Sequence, residues 1–308
     1  MIVTVTLNPA LDKTVGIDTL IPGHVNRLNS VAEFAGGKGI NVTRVLAQYG
    51  KNVMAMGFLG GYAGKFIKKE VERCGAVCNF TTIAGTTRTN TNILGKDGYV
   101  TELLEPGPVI TAREQQSFLE AYTQMASDAE VILLSGSLPV GVDEGFYGEL
   151  IRIANIKNRK VILDTSKEAL CASVKWLPYM IKPNVKELEF LMGRKLDGIE
   201  KITEAAKECC QKGIAKVVVS MGDKGLLYVD ARCKIHATAP KQKAVNTVGC
   251  GDSLVAAMAM SMVENEETVS SLKRAAAISA ANATTLENGV VPQVLAEQLM
   301  EKVRIRAV

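Results

Sequence analysis

The run Asn246-Thr247-Val248-Gly249-Cys250-Gly251-Asp252-Ser253 holds the residues of this chain best suited to chemistry. Its glycines let the backbone turn until successive amides face one point. The apolar segment LVAAMAMSMV that follows sets a helix N-terminus behind them. Gly249, Cys250 and Gly251 then make an anion cradle suited to charge developing on a transferring phosphoryl group. Asp252 cannot ligate that anion, because like charges repel; it reads as the base that takes a proton from an attacking hydroxyl. The competing reading is a tight turn with Asp252 in the first turn of a helix. A carboxylate base also suits a chain whose only histidines are His24 and His236.

Three more clusters could serve such a reaction. In Ala35-Gly36-Gly37-Lys38-Gly39-Ile40-Asn41 the glycines allow close approach, and Lys38 and Asn41 offer donors. In Ile181-Lys182-Pro183-Asn184-Val185-Lys186-Glu187, Asn184 can cap a helix, with Glu187 three residues on as its capping-box partner. Residues 217–225, VVVSMGDKG, read as a strand followed by a Gly-bounded turn. No GxxxxGK[ST] occurs, no HRD or DFG, and no GxGxxG after the first strand, so P-loop, protein-kinase and dinucleotide readings are all disfavoured.

The elements that must position these residues alternate. Residues 2–7, 131–135, 161–164 and 216–220 read as short buried strands. Helical patterns cover 39–49, 62–74, 111–127, 143–156, 198–211, 249–263, 267–286 and 293–303. An α/β fold follows, a mostly parallel sheet with helices on both faces and ligands at the C-terminal strand ends. Two polar strand-like regions, 12–34 and 86–104, break the rhythm. In the second, Arg88, Asn90 and Asn92 share one strand face and Thr87, Thr89 and Thr91 the other. Asp97-Gly98 signals a type I′ hairpin. We expect a small antiparallel lid sheet, its Arg- and Asn-bearing face toward a cleft, inserted into one domain spanning 1–308.

Composition narrows the partners. Lys and Arg number 36 against 32 Asp and Glu, a net charge of +4 with no basic stripe, which argues against nucleic acid. The longest nearly apolar stretch, 254–263, is half of what a membrane span needs. MIVTVTLNP carries no basic region of a secretory signal, so a cytoplasmic location is expected. Seven cysteines without framework spacing read as reduced thiols, and neither histidine stands near a cysteine pair to make a zinc site.

GGKGIN at 36–41, KPNVKE at 182–187, VSMGDKG at 219–225 and TVGCGDS at 247–253 occur in the order found in PfkB, ribokinase-like carbohydrate kinases. TLNPALD (6–12), VNR (25–27), GGKGINVTRVLAQYG (36–50) and GFLGG (57–61) resemble the branch of 1-phosphofructokinases and tagatose-6-phosphate kinases. The resemblance spans the chain. It implies a three-layer sandwich with a β-sheet lid that pairs two copies, and MgATP as donor. It makes Asp252 the base and Gly249, Cys250 and Gly251 the anion hole. Asp12, Gly37 and Asn41 become sugar-hydroxyl contacts, and Arg27, Lys38 and Arg88, with Ser137 nearby, ligands for the sugar's own phosphate. Asn184 and Glu187 would order Mg²⁺ through water, while Lys182, Ser220, Gly222, Gly225 and Asn282 would line the nucleotide. Asn246, Val248, Gly289 and Val291 fall where some members hold a monovalent cation, which stays open. Fructose 1-phosphate is the expected substrate and tagatose 6-phosphate the alternative. An unphosphorylated-sugar or nucleoside kinase has no use for Arg27 and Arg88, and a silent sugar-phosphate sensor has none for Asp252.

Overall fold

The computed structural model describes residues 1–96 and 98–308. The chain starts with β1 (Ile2–Thr6), leaves for β2 (Ala10–Ile17) and β3 (Ser30–Gly36), and returns through α1 (Lys38–Gln48) to β4 (Val53–Leu59). After α2 (Gly61–Arg73) and β5 (Val77–Thr82) it leaves again for β6 (Arg88–Gly95) and β7 (Val100–Leu104). Alternation resumes with α3 (Ala112–Met125), β8 (Val131–Ser135), α4 (Phe146–Ile156), β9 (Lys160–Asp164), α5 (Lys167–Ser173) and β10 (Met180–Ile181). Next come α6 (Val185–Met192), α7 (Ile199–Gln211), β11 (Lys216–Ser220), β12 (Leu226–Asp230) and β13 (Lys234–Thr238). The order is completed by α8 (Cys250–Val263), α9 (Thr268–Asn282), α10 (Gln293–Met300) and β14 (Arg304–Ala307).

The large sheet runs β14-β13-β12-β11-β10-β9-β8-β1-β4-β5. From β5 to β11 every neighbour is parallel; β12, β13 and β14 extend one edge antiparallel. The turns at 221–225 and 231–233 are too short for a crossover, so β12 and β13 must return as hairpins. Alternate strand residues feed two cores. Ile2, Val131 and Leu133 pack on the side of α1, α8, α9 and α10. Val3, Val5, Ile132 and Leu134 pack on the side of α3, α4 and α7. The expected α/β sandwich is the one observed. Helix α8 is buried on every side from Asp252 to Met262, which its nearly uninterrupted apolar sequence permits.

The second sheet has the order β3-β2-β6-β7 and corrects one expectation. Its outer pairs are antiparallel, but its central pair, β2 with β6, is parallel. The cause is topological: β1 and β5 are parallel strands, and each hands its chain to a hairpin leaving the same edge in the same direction. Asp97 of the Asp97-Gly98 turn signal lies outside the described residues; Gly98 has the positive φ (88°) that favours glycine. Helix boundaries also differ in places, and the last helix, expected to reach 303, ends at Met300. The segment expected from 143 becomes helical only at Phe146, because Asp143 first makes a turn, its carboxylate accepting from the Gly145 amide at 2.7 Å. The helix expected to reach 286 ends at Asn282, where the hydroxyls of Thr284 and Thr285 take the carbonyls of Ala281 and Asn282, both at 2.8 Å.

Candidate active site

Polar side chains gather where the parallel strands end. Asn8 follows β1, Ser137 follows β8, Asp164 closes β9, Lys182 follows β10 and Ser220 closes β11, all on the C-terminal edge of one sheet. Helices α1 and α8 point their N-termini at this edge through glycine caps, Gly37 with φ 112° and Gly249 with φ 83°. Close approach explains Gly36 as well, since a Cβ there would lie 2.1 Å from Asp12 Oδ2.

Asp252, buried in the first turn of α8, accepts a hydrogen bond from Asn41 Nδ2 of α1 at 2.8 Å. Burial pushes its carboxyl up to about 6, helped by the neighbouring charge of Asp164, against the pull of Lys38, Asn41 and Lys182. A buried carboxylate poised near neutrality is the property a general base needs. In front of it the amides of Gly251 and Asp252, at the second and third helical positions, have no intrahelical acceptor. The expected helix turn is formed, and the same turn carries the amides that the cradle reading requires. Cys250 lines a cavity beside the cradle, and burial raises its thiol above the ordinary range, which keeps it neutral.

Asp164 belongs to none of the sequence motifs, yet it is the centre of the charged cluster. It is buried, its Oδ1 meeting Lys38 Nζ at 3.0 Å and Lys182 Nζ at 3.3 Å. Burial opposes its charge, but the two ammonium groups outweigh that and hold the carboxyl below the usual range. Its Oδ2 has no partner among the described residues. The signal that was available is a lone acid closing the apolar strand VILD at the ligand-bearing edge. Glu187 stands beside it. The capping box is formed, Glu187 Oε2 accepting from the Asn184 amide at 2.8 Å and Asn184 Oδ1 from the Glu187 amide at 2.9 Å. Glu187 Oε1 remains, 4.0 Å from Lys38 Nζ.

A second group lies toward the small sheet. Asp12 Oδ1 accepts from Asn90 Nδ2 at 2.9 Å, across the parallel pairing of β2 with β6. Burial raises the Asp12 carboxyl, with Asn90 and Arg88 opposing. Arg88 donates through Nη2 to the Asn8 carbonyl and through Nη1 to the Glu105 carbonyl, both at 3.0 Å. Asn8 in turn reaches Ser137 Oγ at 3.4 Å. Asn8 Oδ1, Asn41 Oδ1, Arg88 Nε and Asn90 Oδ1 are buried without partners among the described residues.

A cavity of about 580 Å³ joins this edge, lined by Asn184, Ser220, Gly222, Gly225, Cys250 and Gly251 with one face of α9. That face is Ala276, Ser279, Ala280 and Ala283, spaced as one helical stripe. Asn282 lies off the stripe and does not line the cavity. Its amide is spent on the protein, accepting from Ser253 Oγ at 3.0 Å and the Gly289 amide at 3.2 Å, and donating to the Val248 carbonyl at 3.2 Å. It braces the glycine turn from behind. Lys182 likewise sits with Asp164 rather than on the cavity wall. Arg27 is on the exposed 18–29 connection between β2 and β3 and is not drawn into either cluster. Lys38 pairs with Asp164 and lies 4.0 Å from Glu187. Thr87 is buried instead of facing outward, its Oγ1 accepting from the Gly60 amide at 2.9 Å. Of the candidate monovalent-cation ligands, the carbonyls of Val248 and Val291 accept from Asn282 and Gln48, and the Asn246 amide donates to the Leu286 carbonyl and Asn288 Oδ1.

Comparison with known proteins gives a consistent result. The profile of the pfkB family carbohydrate kinases matches residues 5–291. Phosphofructokinase-2 from Escherichia coli, solved with potassium, is 29% identical over 98% of both chains with a TM-score of 0.93. The same enzyme has been solved with fructose-6-phosphate, at 28% identity over 98% of both chains and a TM-score of 0.90. A "possible 1-phosphofructokinase" from Thermotoga maritima is 27% identical over 100% of this chain and 99% of that one, with a TM-score of 0.90.

Proposed function

Because this chain belongs to the pfkB family of carbohydrate kinases, we propose that it transfers the γ-phosphoryl group of ATP to a hydroxyl of a ketohexose phosphate. Fructose 1-phosphate, giving fructose 1,6-bisphosphate, is the substrate of choice, and tagatose 6-phosphate the alternative. The observation that carries the sugar-phosphate reading is the set of polar atoms on Asn8, Asn41, Arg88 and Asn90 that are buried and unpartnered among the described residues. Buried polar groups are almost always satisfied, so a hydrogen-bonding ligand belongs there.

Asp12, Asn41 and Asn90 would orient the sugar, and Asp252 would take the proton of its attacking hydroxyl. The α8 amides would receive the charge that develops on the moving phosphoryl group. Adenine suits the cavity between the 220–225 turn and the small-residue stripe of α9. Asp164 Oδ2, buried and unpartnered among the described residues, and Glu187 Oε1 fit a divalent cation accompanying the nucleotide, whose chemistry is to neutralise phosphate charge. Asn184 acts through the cap that aims Glu187, its Oδ1 accepting from the Glu187 amide.

The test is ADP release by purified protein with magnesium and ATP, over fructose 1-phosphate, tagatose 6-phosphate, fructose 6-phosphate and unphosphorylated fructose. A tenfold or greater kcat/KM advantage for another phosphate ester would replace the substrate. Preference for free fructose would remove the role given to Arg88. Two of the five N–H groups of Arg88 go to backbone carbonyls, which leaves three, enough for a bidentate phosphate contact. Arg88→Ala should lower kcat/KM for the true substrate by roughly ten- to a hundred-fold, the worth of one charged hydrogen bond.

The small sheet also bears on assembly. Val31 and Leu103 lie on one face of it and Val100 and Leu104 on the other, each more than half exposed, and apolar exposure of this kind suits pairing with a second copy of this chain. Sedimentation at micromolar concentration should find a homodimer. A monomer alone would count against it.

A further inference from the structure

Two lysines share Asp164, but they are not alike. Lys182 is 4% exposed and packed between Asp164 and the start of α8, a Cβ at Gly251 lying 3.4 Å from its Nζ. The Lys38 side chain is 37% exposed and springs from the first residue of α1 on a flexible four-carbon stem. Its ammonium stands 3.0 Å from Asp164 Oδ1 and 4.0 Å from Glu187 Oε1. Those are the two carboxylates whose remaining oxygens fit a divalent cation. With both lysines in place, two ammonium groups already face Asp164 and Glu187, with Asp252 as a third carboxylate close by. A dication held by the same two carboxylates would stand against the Lys38 ammonium, and like charges in contact in low-dielectric surroundings are costly. One ammonium has to give way, and only Lys38 has a path to solvent.

We propose that Lys38 is a displaceable counterion that occupies the cation position between Asp164 and Glu187 until the metal accompanying the nucleotide takes it. Its ammonium then turns to the phosphoryl group being transferred, with no bond to nitrogen made or broken. This deepens the kinase reading, on which it rests for the nucleotide. It also moves Lys38 away from the sugar's own phosphate, the role that the resemblance implied.

The experiment titrates Mn²⁺ into the purified protein without nucleotide or sugar, following free Mn²⁺ by electron paramagnetic resonance. Lys38→Met and Lys38→Gln should each bind Mn²⁺ roughly five- to tenfold more tightly than wild type, the ratio set by release of one partly exposed ion pair. Lys38→Arg, which keeps the charge, should stay near wild type. Equal or weaker binding by both neutral variants, or no measurable binding by any of the proteins, overturns the proposal. Because this assay needs no turnover, it gives its answer even if the sugar panel finds no kinase activity. In turnover, Lys38→Met should lower kcat and the magnesium requirement together while leaving KM for the sugar phosphate unchanged. A rise in that KM alone would return Lys38 to the sugar phosphate.

Discussion

Replacing Asp252 by Asn is expected to lower kcat by about two to four orders of magnitude, the usual worth of general-base assistance, with KM changed only a few-fold. The same variant should melt at a higher temperature than wild type at pH 7. Both effects come from one environment. Burial raises the Asp252 carboxyl from 3.8 to about 6, so its ionised form is disfavoured in the folded protein relative to the unfolded chain. The sign follows: above about pH 6 the folded protein carries the full penalty of the buried charge. As pH falls through 6 toward 4, the folded state takes up a proton first and the penalty disappears. The melting-temperature gap between variant and wild type should therefore shrink over that window. Wild-type kcat should fall with acidity over the same range, because the protonated acid cannot accept a proton. An Asn variant with wild-type turnover would remove Asp252 from the base role; one that melts lower at pH 7 would contradict the desolvation argument.

Asp164→Asn should do the opposite to stability. Asp164 and Lys182 are almost wholly buried, and the carboxylate is the counterion of Lys182 and Lys38 together. Removing one partner of a buried ion pair costs about 3–5 kcal/mol, because the remaining charge is left uncompensated in low dielectric. Denaturation by urea at pH 7 should show a loss of that order. The native carboxyl titrates below its unfolded value, so its stabilisation is present above about pH 4 and fades as pH falls through the lower folded value. The difference between Asp164→Asn and wild type should accordingly narrow in acid. A stability change within about 0.5 kcal/mol, the range of ordinary surface substitutions, would mean that the lysines are not held by this carboxylate.

The parts read correctly from sequence are those that local rules control. The amphipathic helices at 39–49, 62–74 and 198–211 and the apolar strands at 131–135 and 216–220 follow from periodicity, and they appear with ends within a residue or two. The glycine turn before α8 and the Asn184–Glu187 cap were legible because they are set by residues within a few positions of each other. The place of Asp252 in the first turn of α8 was legible for the same reason.

What only the tertiary structure decided depends on residues far apart in the chain. Asp164 meets Lys38 across 126 residues, and Asn41 meets Asp252 across 211; no local pattern marks such partners. Lys38 stands beside Arg27 and Arg88 in any list of basic residues near glycine motifs. Its place with Asp164 is set by where α1 starts relative to the end of β9. The parallel pairing of β2 with β6 has the same origin, since each strand alone alternates as either kind of pairing would. The packing of α9 on α8 turns the Asn282 amide to Ser253 and the Val248 carbonyl, across 29 and 34 residues. Sequence determines short-range geometry through backbone sterics and side-chain periodicity. Which distant charges become neighbours, and which lose their water, is decided by the packing of the sheet and its helices, and that packing sets the ionisation of Asp252 and Asp164.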